Sequence, residues 1–416
     1  MIAQRLKSIL ITISVGYFAV WLIIPTLKNN TSTVLYTIHD FHEDICKIYL
    51  DMGLCAQKRN DLTKAIDFYN KIIEHNPFYL PAYDKLGICY ELKGNQAQAI
   101  KIYFKAMAIN ANFNDTRFIS WHNNIDSPLA EPEVKVLGEK LWAGESLLGK
   151  TIYIYTQKGL GDTIMFSRFL PILAKMGAKI IFKPQKPLIS LFKTNYFYSQ
   201  IIDGFGDALA THIDFYAPIE SLPALLNTSL ETIPAPEGYI NSSISKIDKI
   251  KAQFFKNNKY KVGIIWQGSI NYKNDKQRSI ALSYFYPLTK IPGVAIYSLQ
   301  RGYGAEQLAL CPQWVKIVNL EPILENFDTF SAVMQNLDLI ISVDTAGAHL
   351  GGALGKKTWL LLPHTSDWRW LVYSEGETTV WYKSIKKFRQ KTQGDWAEVF
   401  TRVTQELAKL TENTEE

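Results

Sequence analysis

The chain opens on an uninterrupted apolar run. From Ser8 to Leu27 twenty residues carry no charge, with Arg5 and Lys7 before them and Lys28 after. A helix of ~20 residues rising 1.5 Å each crosses a hydrocarbon core of ~30 Å. No small-residue cleavage site follows, so the pattern predicts an anchor helix within residues 1–30 rather than a removable leader. The basic residues on the two sides nearly balance, which leaves the orientation open. A buried helix is the alternative.

The next pattern is a repeat. Tyr49–Pro77 and Tyr83–Ala111 align without a gap at a period of 34, pairing Tyr49 with Tyr83, Gly53 with Gly87, Ala65 with Ala99 and Tyr69 with Tyr103. Small residues admit a second helix at close range, and aromatic residues fill the space between. The period resembles that of the tetratricopeptide repeat. Pro77 closes the first copy, while the second has Ala111 there. Two copies bury little surface alone, so the stretch Asp115–Trp142 is expected to pack as joining helices, giving a helical segment over 43–145. Such repeats hold a peptide or protein, or serve as a spacer.

After Lys150 short β-branched and aromatic runs replace the helical spacing. `TIYIYT`, the turn `QKGLGD`, the apolar `TIMFSRFLPILAKMG` and `AKIIFKP` read as strand, glycine turn, helix and strand. `HIDFYAPI` reads as a further strand, and `ETIPAPEGYI` as a linker. The same order restarts with `KVGIIW`, `VAIYSLQ`, the helix `FDTFSAVMQNL`, the strand `DLIISVD`, the helix-opening `TAGAHLGGALG` and the strand `KTWLLL`. Two Rossmann-like halves are predicted, 150–238 and 239–416, the second ending in a helix. Ligands of such sheets sit at the carboxyl ends of the strands. Three polar turns fall there, after Thr156, Trp266 and Val343.

The third turn carries the clearest chemistry. Asp344 and Thr345 are expected to cap a helix starting near Ala346. Small residues at Ala346, Gly347 and Ala348 would let an anion reach the free N–H groups of its first turn. His349 stands on that turn. Asp344 as a plain cap and His349 as a satisfied core histidine are the structural alternatives.

Composition narrows the class. A hydrophobic share of 47% with 20% charged residues is globular. The net charge of +6 is not gathered in a basic block, which argues against nucleic acid and suits an anionic ligand or surface. Cys46, Cys55, Cys89 and Cys311 form no CxxC or zinc spacing and read as buried free thiols. `GLGDTI` lacks the third glycine of a dinucleotide fingerprint, which sets a dehydrogenase aside.

`KGLGDTIMFSRFLPIL`, `GIIWQGS`, `NDKQRSI`, `DLIISVDTAGAHLGGALGK` and `LLPHTSDWRW` together resemble the heptosyltransferase-like family 9 glycosyltransferases, in the form joined to tetratricopeptide repeats. The resemblance covers the repeats and roughly residues 151–396. It implies an α/β GT-B fold behind the all-α repeat segment, and inverting sugar transfer from a nucleoside-diphosphate sugar to a protein or glycan, without metal or cofactor. No Asp-x-Asp occurs in the chain, in keeping with a metal-free site. The resemblance places Asp162, in the loop with Gly159 and Gly161, as general base. It puts Asp344, Thr345, Gly347 and His349 at the donor diphosphate, with Ser269, Lys276 and Arg278 adding a hydroxyl and cations. Lys158, Gln267 and Gln300 are auxiliary candidates. Asp162 as a simple helix cap is the alternative.

The sequence departs from the family where Ala346 follows the Asp-Thr pair in place of Gly. The `DWRW` segment, Asp367–Trp370, suits packing on a base or sugar face, or stapling of the last strand. The expected setting is a cytoplasmic catalytic portion held at the inner membrane by residues 8–27. A nucleotide-binding repeat scaffold without turnover is the competing class.

Overall fold

The computed structural model describes residues 31–111, 140–195, 198–204, 212–234, 237–272, 275–371 and 376–412. The apolar stretch 8–27 and most of the joining segment lie outside the described residues. Among the described residues no helix is long and apolar enough to cross a membrane. The chain divides into two compact units between Cys89 and Tyr90.

The first unit is helical. Helix α1 (Thr31–Lys58), helix α2 (Leu62–His75) and the start of helix α3 (Leu80–Leu92) follow the repeat pattern. The Asp61 carboxylate accepts the Lys64 N–H at 3.1 Å and starts α2. The small positions do what their spacing implies: a Cβ on Gly53 would stand 2.4 Å from Tyr69 Cε1. The Tyr69 hydroxyl donates to Gln57 Oε1 at 3.1 Å, so this buried ring ties α2 to α1. All four cysteines are free, but only Cys46 and Cys89 are buried; Cys55 is exposed and Cys311 partly so.

The second unit begins with helix α4 (Gln96–Ala111) and continues into two parallel sheets. Lys140–Trp142, the described end of the joining segment, is extended rather than helical: Leu141 bridges Tyr216 in parallel, and the Trp142 N–H donates to the Tyr216 carbonyl at 2.9 Å. The first sheet runs in the order β3-β2-β1-β4, from β1 (Thr151–Tyr155), β2 (Lys179–Lys183), β3 (Gln200–Ile201) and β4 (Phe215–Pro218). The second runs β10-β9-β8-β5-β6-β7, from β5 (Tyr260–Ile265), β6 (Val294–Ser298), β7 (Ile317–Asn319), β8 (Leu339–Val343), β9 (Thr358–Leu362) and β10 (Ile385–Arg389). All pairings within both sheets are parallel.

The predicted strands are present. The three the pattern missed, β3, β7 and β10, all lie on sheet edges. Edge strands lack the double-sided burial that makes a parallel strand continuously apolar. The predicted helix after the glycine turn is broken into α5 (Leu160–Phe166), a 3₁₀ turn at Ser167–Phe169, and α6 (Leu170–Lys175). Pro171 near the start of α6 supplies no N–H to the preceding turn, which tightens it.

Helix α7 (Ile244–Phe254) follows the linker; α8 (Phe327–Gln335), α9 (Ala346–Ala353) and α10 (Trp396–Glu412) cover the second sheet. The linker lies against the end of α9. Gly238 and Gly355 have φ of +127° and +68°, and a Cβ on Gly238 would stand 2.9 Å from the Gly355 nitrogen. A side chain at either position would separate two touching backbones. On the other flank, Ala99, Ile100, Tyr103 and Phe104 of α4 share one buried cluster with Ile152, Phe166 and Trp381.

Candidate functional site

Helices α5 and α9 start at the carboxyl ends of β1 and β8 and pack against each other. Their approach is closest at Gly161, where a Cβ would stand 2.8 Å from His349 Cδ2 and 3.5 Å from Ala346 Cα. The glycine turn of the first half and the Asp-Thr turn of the second therefore form one site.

Asp162 occupies the third position of α5. Its Oδ2 accepts the Gly159 N–H at 3.0 Å, the reciprocal half of a helix cap. Its Oδ1 is paired with Arg369 Nη2 across the two halves. One carboxylate oxygen thus serves the helix cap and the other the contact between the two halves.

Arg369 belongs to the `DWRW` segment, which turns sharply after β9. Asp367 starts this turn by accepting the Arg369 N–H at 3.1 Å, and also accepts from Arg369 Nη1 at 2.6 Å. The guanidinium lies 4.8 Å from the Trp368 ring centroid. Leu371 then takes a left-handed φ of 48°, a conformation a branched residue keeps only when its surroundings hold it. Arg389 supplies that hold, donating to the carbonyls of Trp370 at 3.0 Å and Leu371 at 3.4 Å and to Ser366 Oγ at 2.6 Å. The segment is a fixed cation platform as well as a staple.

At the start of α9, Thr345 stands in the cap position without capping. Its hydroxyl lies 3.2 Å from Ser342 Oγ and makes no bond to the helix. Asp344 caps nothing with its carboxylate either; its carbonyl accepts from Arg278 Nη1 at 2.6 Å. The expected side-chain cap is therefore absent, and the Ala348 N–H turns to the Thr345 carbonyl at 3.0 Å. Burial, reinforced by the Asp367 carboxylate, pushes the Asp344 carboxyl up to about 6. The small residues of α9 serve packing first: a Cβ on Gly347 would meet Ile265 Cδ1 at 2.3 Å, and one on Gly352 the Tyr382 ring at 2.5 Å.

The turn after β5 brings Arg278 to the same place. Asp275 Oδ1 holds its Nε at 3.0 Å, and the Tyr272 ring lies 4.3 Å beneath the guanidinium. Ser269 and Lys276 of this turn are exposed, and Ser269 Oγ accepts the Asn271 N–H at 3.3 Å. Gln300 is buried and spends its amide on main chain: Oε1 accepts from Trp266 and Gln267, and Nε2 donates to the carbonyls of Gln267 and Tyr303. It fixes the turn that carries Arg278. Gln267 Oε1 is buried without a hydrogen-bond partner.

His349 is buried, stacked 5.0 Å from Trp370, with Nδ1 3.0 Å from the Tyr382 hydroxyl. Burial, then the Arg369 charge, pulls its pKa down to about 3, so the ring is neutral near pH 7. Behind Tyr382 lies Arg168, buried and bonded to the carbonyls of Met165 and Trp381, with Tyr239 and Tyr382 on its faces at 4.7 and 4.6 Å. These groups hold His349 by its far nitrogen.

One acid escaped the sequence reading. Glu220 follows β4, is almost fully buried, and its Oε1 accepts the N–H groups of Gln157 and Lys158, each at 3.1 Å. Its Oε2 is buried with no partner. Burial, with Asp162 adding to it, pushes the carboxyl up to about 7. Glu220 thus pins the turn that leads to Asp162, and Gln185 Nε2 holds the same turn at the Lys158 carbonyl, 2.8 Å away. The only sequence signal was an acid directly after an apolar strand. Among the described residues no cluster of three or more His, Cys, Asp or Glu side chains is placed to hold a metal ion.

Residues 48–78 match the tetratricopeptide repeat family. The chain is 25% identical over 298 residues to the protein FlbA of Caulobacter vibrioides, an alignment covering 66% of this chain and 49% of FlbA. The chain thus spans about half the length of that relative. Among solved structures it is similar to the ADP-heptose LPS heptosyltransferase II of E. coli, at 13% identity and a TM-score of 0.48, covering 64% of this chain and 100% of that one. It is also similar to the family 9 glycosyl transferase of Veillonella parvula, at 12% identity and a TM-score of 0.46, covering 63% and 91%. The chain therefore carries a tetratricopeptide repeat at residues 48–78, followed by an α/β portion built on two parallel sheets.

Proposed function

We propose that the protein is a glycosyltransferase that moves a sugar from a nucleoside-diphosphate donor to a hydroxyl of a protein or glycan, with inversion and without a metal. One observation carries the reading. A carboxylate on one half, Asp162, pairs with Arg369 on the other, where Arg278 bonds the Asp344 carbonyl just ahead of a helix start with no side-chain cap.

In this reading the α9 N–H groups and Arg278 take the diphosphate, and their fixed charges stabilise it as it leaves. Asp162 accepts the proton of the acceptor hydroxyl as that oxygen attacks the anomeric carbon from the opposite face. Neutral His349, held at Nδ1 by Tyr382, serves as a hydrogen-bond donor rather than a counter-charge. Thr345 and Gly347 line the phosphate end, with Ser269 and Lys276 at its exposed rim. The repeats present a peptide or protein acceptor, and residues 8–27 hold the cytoplasmic catalytic portion at a membrane.

The alternative is a nucleotide-binding repeat scaffold without turnover, favoured by the ion pair that engages Asp162. Calorimetry with ADP, UDP and GDP and their sugars separates the two when followed by product analysis. A bound donor that is consumed supports transfer. A bound donor that stays intact supports the scaffold, and no binding by any nucleotide overturns both.

A further inference from the structure

Arg369 is shared between carboxylates on opposite halves of the site. Nη1 bonds Asp367 within its own turn, and Nη2 bonds Asp162 from the first half. Its position is set from outside the site. Trp368 backs the guanidinium and packs 5.3 Å from the Tyr103 ring of α4, and the Arg369 carbonyl accepts the Trp381 indole N–H at 2.6 Å. The backbone is therefore fixed, and the end of the side chain is what remains to choose a partner.

The charges at the strand ends do not suit a diphosphate as they stand. Asp162, Asp275, Asp344 and Asp367 surround two guanidiniums, Arg278 and Arg369. Arg278 spends Nε on Asp275 and Nη1 on the Asp344 carbonyl, so only part of its fork is left for the diphosphate. An incoming diphosphate adds negative charge beside Asp344 and Asp367, and needs a cation. Arg369 can supply one through Nη2 while Nη1 stays on Asp367, because a guanidinium presents separate donors in a fixed fork. Asp162, conversely, has both oxygens engaged in this state, Oδ2 by the Gly159 N–H and Oδ1 by Arg369 Nη2.

We propose that Arg369 is a donor-sensing residue: it holds Asp162 while the diphosphate site is empty and turns Nη2 to the diphosphate when a donor binds, releasing Asp162 as the base. This rests on the reading of the site as one for nucleoside-diphosphate sugars. The donor then binds before the acceptor is activated, and an empty site carries no exposed base.

The test is a binding cycle in the full-length protein, with ADP, UDP and GDP as probes and calorimetry as readout. Asp162→Asn frees Arg369 from a carboxylate and is expected to tighten binding of the preferred diphosphate about tenfold. Arg369→Gln is expected to weaken it by a similar factor. The double variant is expected to bind like Arg369→Gln, since the gain needs the guanidinium. Thermal unfolding of each variant verifies that it is folded. A guanidinium that only staples the two halves would give no gain in Asp162→Asn, and unchanged or weaker binding there overturns the proposal while leaving the donor site standing. Failure of the wild-type protein to bind any diphosphate overturns the site reading and this inference together.

Discussion

Gly161 faces His349 across the two halves so closely that a single added methyl would stand 2.8 Å from the imidazole Cδ2. His349 cannot retreat, because Trp370 lies on its face and Tyr382 on its Nδ1. Gly161→Ala must therefore push α5 and α9 apart. Overpacking of this kind costs about 1–3 kcal/mol. The expected result is a lower unfolding midpoint together with loss of diphosphate binding. Retention of both in the variant would show that the helices have room to spare.

Glu220 makes stability depend on pH in an uncommon direction. Its pKa is raised in the folded state to about 7 from 4.5, so the folded protein keeps a proton that the unfolded chain has lost between those values. Stability contributed by this group therefore falls as pH rises through that window. Glu220→Gln removes the titration while keeping an acceptor for the Gln157 and Lys158 N–H groups. Relative to wild type it should gain on the order of 3 kcal/mol between pH 4.5 and 7, at about 1.4 kcal/mol per pKa unit. Urea unfolding at pH 5 and pH 8 measures this; an equal difference at both pH values counts against it.

Tyr103 couples α4 to the cation platform. Its ring packs on Trp368 and its hydroxyl donates to Glu91 Oε1 at 2.5 Å. Tyr103→Phe keeps the ring and removes one bond to a buried acid, a loss of about 1–3 kcal/mol. Tyr103→Ala removes the backing of Trp368 and costs about 3–5 kcal/mol, the range for deleting a buried aromatic. Sugar transfer should survive the first substitution and fall at least tenfold in the second. Equal rates in the two variants would show that Trp368 needs no support from the helix.

Gly53 offers a test confined to the first unit. A methyl there would stand 2.4 Å from the Tyr69 ring, itself buried and bonded to Gln57. Gly53→Ala should lower the stability of the first helical pair by about 1–3 kcal/mol. Donor binding by the second unit should be unchanged. Loss of donor binding in this variant would show that the two units do not act independently.

The sequence revealed the core strands because strands such as β1, β5, β8 and β9 are buried on both faces and read as continuous apolar runs. It hid β3, β7 and β10, edge strands whose residues mix polar with apolar. Asp162, Asp344 and His349 were legible because each lies in or just after a small-residue turn at a strand end, whereas Arg278 entered only through the family resemblance. Arg369 was not, since its role depends on a turn that `DWRW` does not announce and on a carboxylate 207 residues away along the chain. Thr345 looked like a cap because threonine commonly is one, yet Ser342 competes for its hydroxyl. Glu220 acquires its meaning only when β4 lies beside β1.

Helix α4 has a consequence for how such a chain can change length. A solenoid grows by laying a new hairpin on an open helical face. The residues of α4 that a following hairpin would need, Ala99, Ile100, Tyr103 and Phe104, are already enclosed by the α/β core. A hairpin laid on that face of α4 would have to displace this core. The stack therefore cannot extend across that face of α4, and α4 is a helix that evolution is not free to replace alone.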